Sequence, residues 1–186
     1  INGINISSTK PGSFPGDFKA NKEDYIRWFK DIEELNLNCL RVQGLMNKDF
    51  YEALYEFNLN NKKPLYLLQG ISLNEVAIDD GEDIQGEKVS DELKKNIETT
   101  VDAIHGNKIP SLSSNSKKIY ETNISQYVIG YTIGNELAYD DVIYSEIMND
   151  LPEFNGEYIQ SKIGASDTEK YLSYLADYLV EYESKN

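Results

Sequence analysis

The chain has 186 residues, and its 32 acidic side chains against 18 basic ones give a formal net charge of −14 at pH 7. This acidity excludes the basic stripe that a nucleic-acid binder needs and argues against docking on an anionic membrane, and no apolar run approaches the roughly 20 residues of a membrane span. A single cysteine and a single histidine exclude an internal disulfide and a cysteine or histidine metal cluster, and no residue pattern predicts a metal or another cofactor.

Apolar periodicity predicts short strands that alternate with longer helices. The predicted strands cover residues 4–6, 38–42, 65–68 and 127–133. The predicted helices follow the capping residues Asn21 and Asn47, begin near Ser90, and follow Ser166, which pairs with Glu169 as a capping box. Apolar residues spaced by three and four should form the buried stripes of these helices: Tyr25, Phe29, Ile32 and Leu35; Phe50 or Tyr51, Leu54 and Phe57; Leu93, Ile97, Val101 and Ile104; Leu172, Leu175, Leu179 and Tyr182.

This order of elements predicts an α/β fold of four βα units, with parallel strands joined by right-handed crossovers. Two closures fit four such units. One is a small open sheet with helices on both faces, and the other is the first half of an eight-stranded (β/α)8 TIM barrel. An open sheet that binds phosphate usually has a glycine-rich turn after its first strand, and residues 7–12 are not such a turn. Periodicity alone leaves both closures open.

Functional side chains of parallel α/β structures lie at the carboxyl ends of the strands. The fourth predicted strand ends in Ile133-Gly134-Asn135-Glu136. A glutamate at the rim of an apolar barrel is partly desolvated, which raises its pKa and suits it to general acid catalysis. The neighbouring Asn135 could hydrogen-bond a sugar hydroxyl beside the scissile bond. The alternative is that Asn135 only turns the chain and Glu136 is solvated.

Other polar residues near the predicted strand ends also have more than one interpretation. Arg41 ends the second strand, where it could orient a carboxylate or form a structural ion pair. Glu75 follows the third strand, but the acidic stretch 75–83 is typical of a solvated loop and lacks the spacing of a calcium site. Tyr139 is placed to line a cleft, whereas His105 is expected at a helix end toward the opposite side of a barrel.

Several short motifs resemble one enzyme group. Ile-Gly-Asn-Glu at residues 133–136, after a fourth parallel strand, resembles the acid/base motif of the clan A glycoside hydrolases, especially the barrel domains related to β-galactosidase and β-glucuronidase. Residues 1–5 resemble the first barrel strand of that group, and residues 38–42 are similar to its second strand, which ends in an arginine. Further stretches resemble a narrower bacterial branch of these barrels: residues 14–16, 25–29, 50–55 and 104–107.

The resemblance implies a single partial TIM-barrel domain over residues 1–186, with strands 1 to 4 and helices 1 to 4 of the barrel. It further implies that Glu136 is the general acid/base, that Asn135 binds the substrate 2-hydroxyl, and that Arg41 orients the nucleophile. The family's nucleophile is a second glutamate at the end of the seventh strand, which this chain does not contain. Because the chain opens without an initiator methionine and stops directly after a helical pattern, we expect an excerpt of a longer protein.

The sequence also departs from the family pattern. Gln69 and Ser72 stand where a histidine and an aromatic residue are expected, and Leu137 replaces an aromatic residue after the glutamate. Gln69 is nevertheless expected to share the carboxyl-end face with Arg41 and to contact substrate, as is Tyr139. These departures favour a barrel that has lost part of its sugar-binding surface.

Three functions follow from these observations. The leading hypothesis is the N-terminal half of a retaining glycoside hydrolase barrel of bacterial carbohydrate metabolism, which hydrolyses O-glycosidic bonds in the full-length parent. For that parent we favour a cell-envelope or extracellular location. The alternative is a catalytically degenerate barrel that binds glycan or protein, and the third hypothesis is a complete open-sheet α/β domain with another task. The expected partner is a carbohydrate substrate, and the unpaired edges of a half barrel predict self-association.

Overall fold

The computed structural model describes residues 1–14, 19–72, 83–110, 119–135 and 137–186. Within these residues short strands alternate with longer helices, which confirms the predicted α/β class. The strands are β1 (Gly3–Asn5), β2 (Cys39–Val42), β3 (Tyr66–Ile71) and β4 (Val128–Ile133). The helices are α1 (Lys22–Glu34), α2 (Lys48–Asn60), α3 (Glu87–His105), α4 (Tyr139–Met148) and α5 (Asp167–Ser184), with a 3₁₀ turn at Ser125–Tyr127.

The strands form one parallel sheet in the sequential order β1-β2-β3-β4. Asn5 of β1 lies opposite Arg41 of β2, and Arg41 lies opposite Leu68 of β3. Val42 pairs with Gln69, and the side chains of these two residues project from the other face of the sheet. The predicted parallel βα order is therefore confirmed.

The chain divides into two compact units. The first unit comprises Ile1–Gly70 and Asp102–Thr132, and the second comprises Ile71–Val101 and Ile133–Asn186. No pattern in the sequence predicted this division, and the single partial-barrel domain over residues 1–186 stays a prediction.

The core of the first unit is aromatic. Rings of α1 and α2 meet edge to face, with centroids 5.3 Å apart between Tyr25 and Phe50 and 5.8 Å apart between Phe29 and Phe57. The same core contains Leu40 of β2 and Leu67 of β3, so both helices cover one face of the sheet. Such ring pairs add about 0.5–1.5 kcal/mol each to the free energy gained from burying their area. The predicted stripes of α1 and α2 are thus confirmed except for Leu35.

Leu35 was expected in the buried stripe of α1 but is 66% exposed. It is the C-cap residue of the helix, and the next residue, Asn36, has a left-handed backbone with φ of 56°. The last helical residue is Glu34, so Leu35 lies beyond the buried stripe of the helix and is exposed to solvent.

The second unit contains a helix that periodicity did not predict, α4. Its carboxylate Glu146 accepts hydrogen bonds from the backbone N–H groups of Asp167 (3.1 Å) and Thr168 (2.8 Å), at the start of α5. Ser166 and Glu169 form the predicted capping box at the same helix start. Glu146 therefore joins α4 to α5 by occupying the positive end of the α5 dipole.

A second carboxylate of this unit, Asp177 of α5, holds the segment that precedes the helix. It accepts hydrogen bonds from the backbone N–H groups of Tyr158 (2.7 Å) and Ile159 (2.8 Å). Partial burial alone would raise the pKa of Asp177, but these bonds outweigh it and lower the pKa below its ordinary value.

Among the described residues, no helix is both long and apolar enough to cross a membrane.

We predict that Glu146→Gln destabilises the protein by about 1–2 kcal/mol at neutral pH, because an amide cannot replace a charged acceptor at a helix start. Burial raises the pKa of Glu146, yet its hydrogen bonds outweigh burial and lower it to about 2, from an ordinary value of 4.5. Since the folded pKa is the lower one, this stabilisation is present above about pH 5 and is lost as the pH falls toward about 2.

Urea unfolding of both proteins between neutral and acidic pH measures this effect. The difference in unfolding free energy should shrink as the pH falls. Glu153→Gln removes the same charge at an exposed position of the same unit and serves as the matched control. A difference that does not change with pH would contradict the assignment.

Candidate functional site

A cavity of about 350 Å³ opens at the carboxyl ends of β1 and β2, within the first unit. Its size is at the lower end of the range for small-molecule sites in proteins. The lining comes from the β1–α1 and β2–α2 loops: Asn5, Ile6, Ser7, Ser8, Thr9, Arg41, Gln43, Gly44, Leu45 and Met46. This is the edge at which parallel α/β folds carry their functional residues.

Arg41 lies at the wall of this cavity, as its strand-end position predicted. Its Nη1 donates to Oδ1 of Asn5 at 3.4 Å, and the two residues are partners in the sheet register. Both side chains therefore project from the face of the sheet that α1 and α2 do not cover. The roles of Arg41 in orienting a carboxylate and in binding substrate stay predictions.

The β2–α2 loop, residues 43–47, is the floor of the cavity and is held by buried hydroxyl groups. The Tyr51 hydroxyl accepts a hydrogen bond from the Met46 N–H (3.2 Å), and the Tyr120 hydroxyl donates to the Met46 carbonyl (2.5 Å). Burial raises the pKa of Tyr51, so its hydroxyl stays protonated and can donate as well as accept. Asn47 completes the arrangement by donating to the Ala20 carbonyl at 3.1 Å.

Gln69 belongs to this network and is wholly buried. Its Oε1 accepts from the Tyr51 hydroxyl at 3.0 Å, and its Nε2 donates to the carbonyls of Gly44 (3.0 Å) and Gly70 (2.7 Å). The side chain lies on the helix-covered side of the sheet, so the structure does not bring it to the side of Arg41. These internal bonds favour a positioning role for Gln69 over the predicted contact with substrate.

Gly70 lies directly against the cavity floor. A Cβ atom at this position would be 2.2 Å from the carbonyl oxygen of Gln43, which is closer than any real contact. Because that neighbour is backbone, it cannot move aside as a flexible side chain would. Only glycine therefore lets β3 approach the β2–α2 loop this closely.

The β1–α1 loop also lines the cavity, through residues 6–9, and is held by an ion pair. Lys10 contacts Asp24, the N3 residue of α1, and Asp24 also completes the capping box with Asn21. The Lys10 ammonium, followed by the Asn21 N–H, holds the pKa of Asp24 below its ordinary value. The Ala20 N–H donates to the Ser8 carbonyl at 3.1 Å, which fixes the loop again beside the cavity.

The predicted acid/base segment follows β4, in the second unit. Gly134 has a φ of 66° and turns the chain, and the half-buried Asn135 follows it. Glu136 lies outside the described residues, so its catalytic role stays a prediction. Leu137 lies with Leu93, Leu172 and Leu175 around a small cavity, so its side chain is among apolar residues here.

The remaining candidates are widely distributed. Tyr139 is the first residue of α4 and is 77% exposed. His105 is the last residue of α3, which confirms its predicted place at a helix end. Glu75 lies outside the described residues, and in the described part of the chain no three acidic, histidine or cysteine side chains form a metal-binding group. Arg41 and Gln69 belong to the first unit and Asn135 and Tyr139 to the second, and their grouping stays a prediction.

Sequence reasoning missed that the hydroxyls of Tyr51 and Tyr120 hold the cavity floor through the backbone of Met46. One signal existed, since Tyr51 and Phe50 competed for the buried stripe of α2 and both are buried. A tyrosine buried in a helix stripe usually has a partner for its hydroxyl, so it could have indicated a polar network. Its partners, Gln69 and Met46, could not be identified from spacing alone.

Comparisons with known proteins add no relative. No protein-family model matches the chain, and no curated protein or solved structure matches it either. The functional assignment therefore depends on the residues and geometry described above.

We expect Tyr51→Phe to destabilise the protein by about 1–3 kcal/mol, because it leaves the buried Met46 N–H and the side-chain oxygen of Gln69 without their partner. Amide hydrogen exchange at Met46 should accelerate as well, since its acceptor is gone. Tyr55→Phe, on the same helix, is the control. It should change the free energy of unfolding by no more than about 0.5 kcal/mol and should not change amide exchange at Met46. Unchanged exchange at Met46 in Tyr51→Phe would show that the hydroxyl does not hold the loop.

Proposed function

We propose that this chain is the N-terminal half of a retaining glycoside hydrolase barrel, whose full-length parent hydrolyses O-glycosidic bonds. The observation that carries the proposal is the sequential parallel order β1-β2-β3-β4, with α1 and α2 on the same face of the sheet. The motif at residues 133–136 supplies the chemistry, and the sheet supplies the frame in which it would act.

The strand order favours a barrel over an open doubly wound sheet. Doubly wound folds reverse their strand order once, and this reversal places helices on both faces. A barrel adds each strand next to the previous one, and every right-handed crossover returns over the outer face. The described strands and the helices α1 and α2 follow the second pattern.

The face of the sheet that α1 and α2 do not cover fits the interior of such a barrel. Arg41 and Asn5 project from it at the carboxyl end, beside the cavity of about 350 Å³. Towards the other end of the strands, Cys39 projects from this face and is buried. A polar rim above an apolar interior is the usual distribution in barrel enzymes.

In the proposed mechanism Glu136 protonates the oxygen of the leaving group while a nucleophilic glutamate from the rest of the barrel attacks the anomeric carbon. The resulting glycosyl-enzyme is then hydrolysed by a water that Glu136 deprotonates, so that the proton given in the first step is recovered. Asn135 would bind the substrate 2-hydroxyl, and Arg41 would orient the nucleophile.

The alternative function is a degenerate barrel that binds glycan or protein without hydrolysis. Two observations favour it. Gln69 is occupied by hydrogen bonds within the chain, and Leu137 packs against apolar neighbours where the family has an aromatic residue. Both changes remove surface that would otherwise contact a sugar ring.

We predict that residues 1–186 alone do not hydrolyse aryl glycosides above background. One carboxylate cannot carry out a double displacement, and placing the second group correctly is worth up to about 7–11 kcal/mol of the barrier. Turnover of a panel of aryl glycosides by the purified chain measures this. Hydrolysis by the chain itself would contradict the half-barrel proposal.

In the full-length parent, Glu136→Gln should slow hydrolysis most for substrates with poor leaving groups, by about 10²–10⁴-fold, because these substrates need protonation. Activated aryl glycosides should be less affected. Glu153→Gln removes the same charge from an exposed position and should leave the rates unchanged. Parent protein that binds glycans but hydrolyses none would instead support the degenerate barrel.

A further inference from the structure

The helix α4 exposes most of its apolar side chains and buries the polar side chain of Ser145. The exposed fractions are 77% for Tyr139, 41% for Ile143, 46% for Tyr144, 75% for Ile147 and 60% for Met148. Tyr139, Ile143 and Ile147 are spaced by four, and Tyr144 and Met148 continue the same broad face. We call these five residues the α4 surface.

The inner side of α4 is held by polar contacts. Ser145 is wholly buried, donates to the Asp83 carboxylate, and accepts from the Ile84 N–H at 3.2 Å. Asn149 donates to the same carboxylate at 2.6 Å, and Glu146 accepts hydrogen bonds from the first backbone N–H groups of α5. These bonds fasten the helix to its unit without using the α4 surface.

Exposing the apolar side chains of the α4 surface to water is unfavourable unless a partner covers them. A helix at the surface of a globular domain normally turns its apolar stripe inward. Neighbouring exposed apolar side chains that form one patch are a mark of interaction sites. Burying isoleucine and methionine side chains favours association, so several of them together can support a specific complex.

The charge around the α4 surface selects the kind of partner. From residue 137 to residue 161 the sequence contains six acidic residues and no lysine, arginine or histidine, and the nearby Lys170 of α5 is already paired with Asp167. Asp140 lies within the exposed arc of the helix, and Asp150 and Glu153 are exposed shortly after it. This field repels anionic lipid and also a second copy of a chain whose net charge is −14. It attracts a basic partner.

We propose that the α4 surface docks an amphipathic segment of a partner protein, with apolar side chains flanked by lysine or arginine. The apolar side chains of that segment would cover Ile143, Ile147 and Met148, and its basic groups would face Asp140 and the acids that follow the helix. The proposal is independent of the glycosidase function, because it uses no residue of the acid/base segment.

A model peptide of leucine and lysine tests the proposal. It is about 14 residues long, which gives about four helical turns, and its leucines are spaced by three and four to form one apolar face. A second peptide has the same composition with its leucines dispersed, and a third has glutamate in place of lysine. Fluorescence anisotropy of labelled peptides measures their binding to the complete chain.

The first peptide should bind, and the other two should bind at least about tenfold more weakly. Replacing Ile147→Ser and Met148→Ser together should weaken the first peptide at least about tenfold, because two buried contacts are lost. The matched control replaces Leu59→Ser and Ile163→Ser, which are 62% and 83% exposed outside α4, and should leave binding unchanged. Circular dichroism confirms that both variants remain folded.

Four results would overturn the proposal. Equal binding of the dispersed peptide, or equal loss in the control variant, would show general attraction to an acidic protein. Equal binding of the glutamate peptide would reject the basic partner. Binding of anionic vesicles that is lost with Ile147→Ser and Met148→Ser would assign the surface to a membrane. A dimer seen by light scattering and abolished by the same variant would assign it to a second copy of the chain.

Discussion

Parallel pairing of consecutive strands is the constraint on which the rest of this structure depends. A strand that lies parallel to its predecessor needs a crossover, and in a sequential order each right-handed crossover returns over the same face. The helices α1 and α2 consequently share that face, where their aromatic rings form one core with Leu40 and Leu67. The opposite face is left for residues such as Arg41, whose charge could not enter that core without a partner.

The polar network beneath the cavity follows from the same constraint. Between β2 and α2 the chain must reverse direction, so its backbone groups there have neither a strand ladder nor a helix to satisfy them. Tyr51, Tyr120 and Gln69 supply the missing partners from three separate parts of the chain. The shape of the cavity floor is therefore determined by buried side chains elsewhere, more than by the residues of the loop itself.

The parts that could be predicted from sequence are those with a strong apolar period. The stripes of α1, α2 and α3 were predicted because burial and periodicity agree there. α4 was missed although Tyr139, Ile143 and Ile147 recur at a spacing of four, because this period marks its exposed side while its inner side carries Ser145 and Glu146. The sequence pattern placed Gln69 at the correct strand end but could not predict the face of the sheet from which its side chain projects, since a shift of one residue exchanges the two faces. Its partner Tyr51 lies on another element, beyond the reach of local patterns.

The contact between Gly70 and the carbonyl of Gln43 has a consequence for how this region can change over time. Any side chain at Gly70 would require a new path for the β2–α2 loop in the same step, and a new loop path would in turn break the bonds made by Gln69. A single substitution at Gly70 or in the β2–α2 loop is therefore disfavoured, and simultaneous substitutions at both places are rare. The strand and the loop should be inherited together as one block, and diversity among descendants should accumulate on the wall formed by residues 5–9 instead.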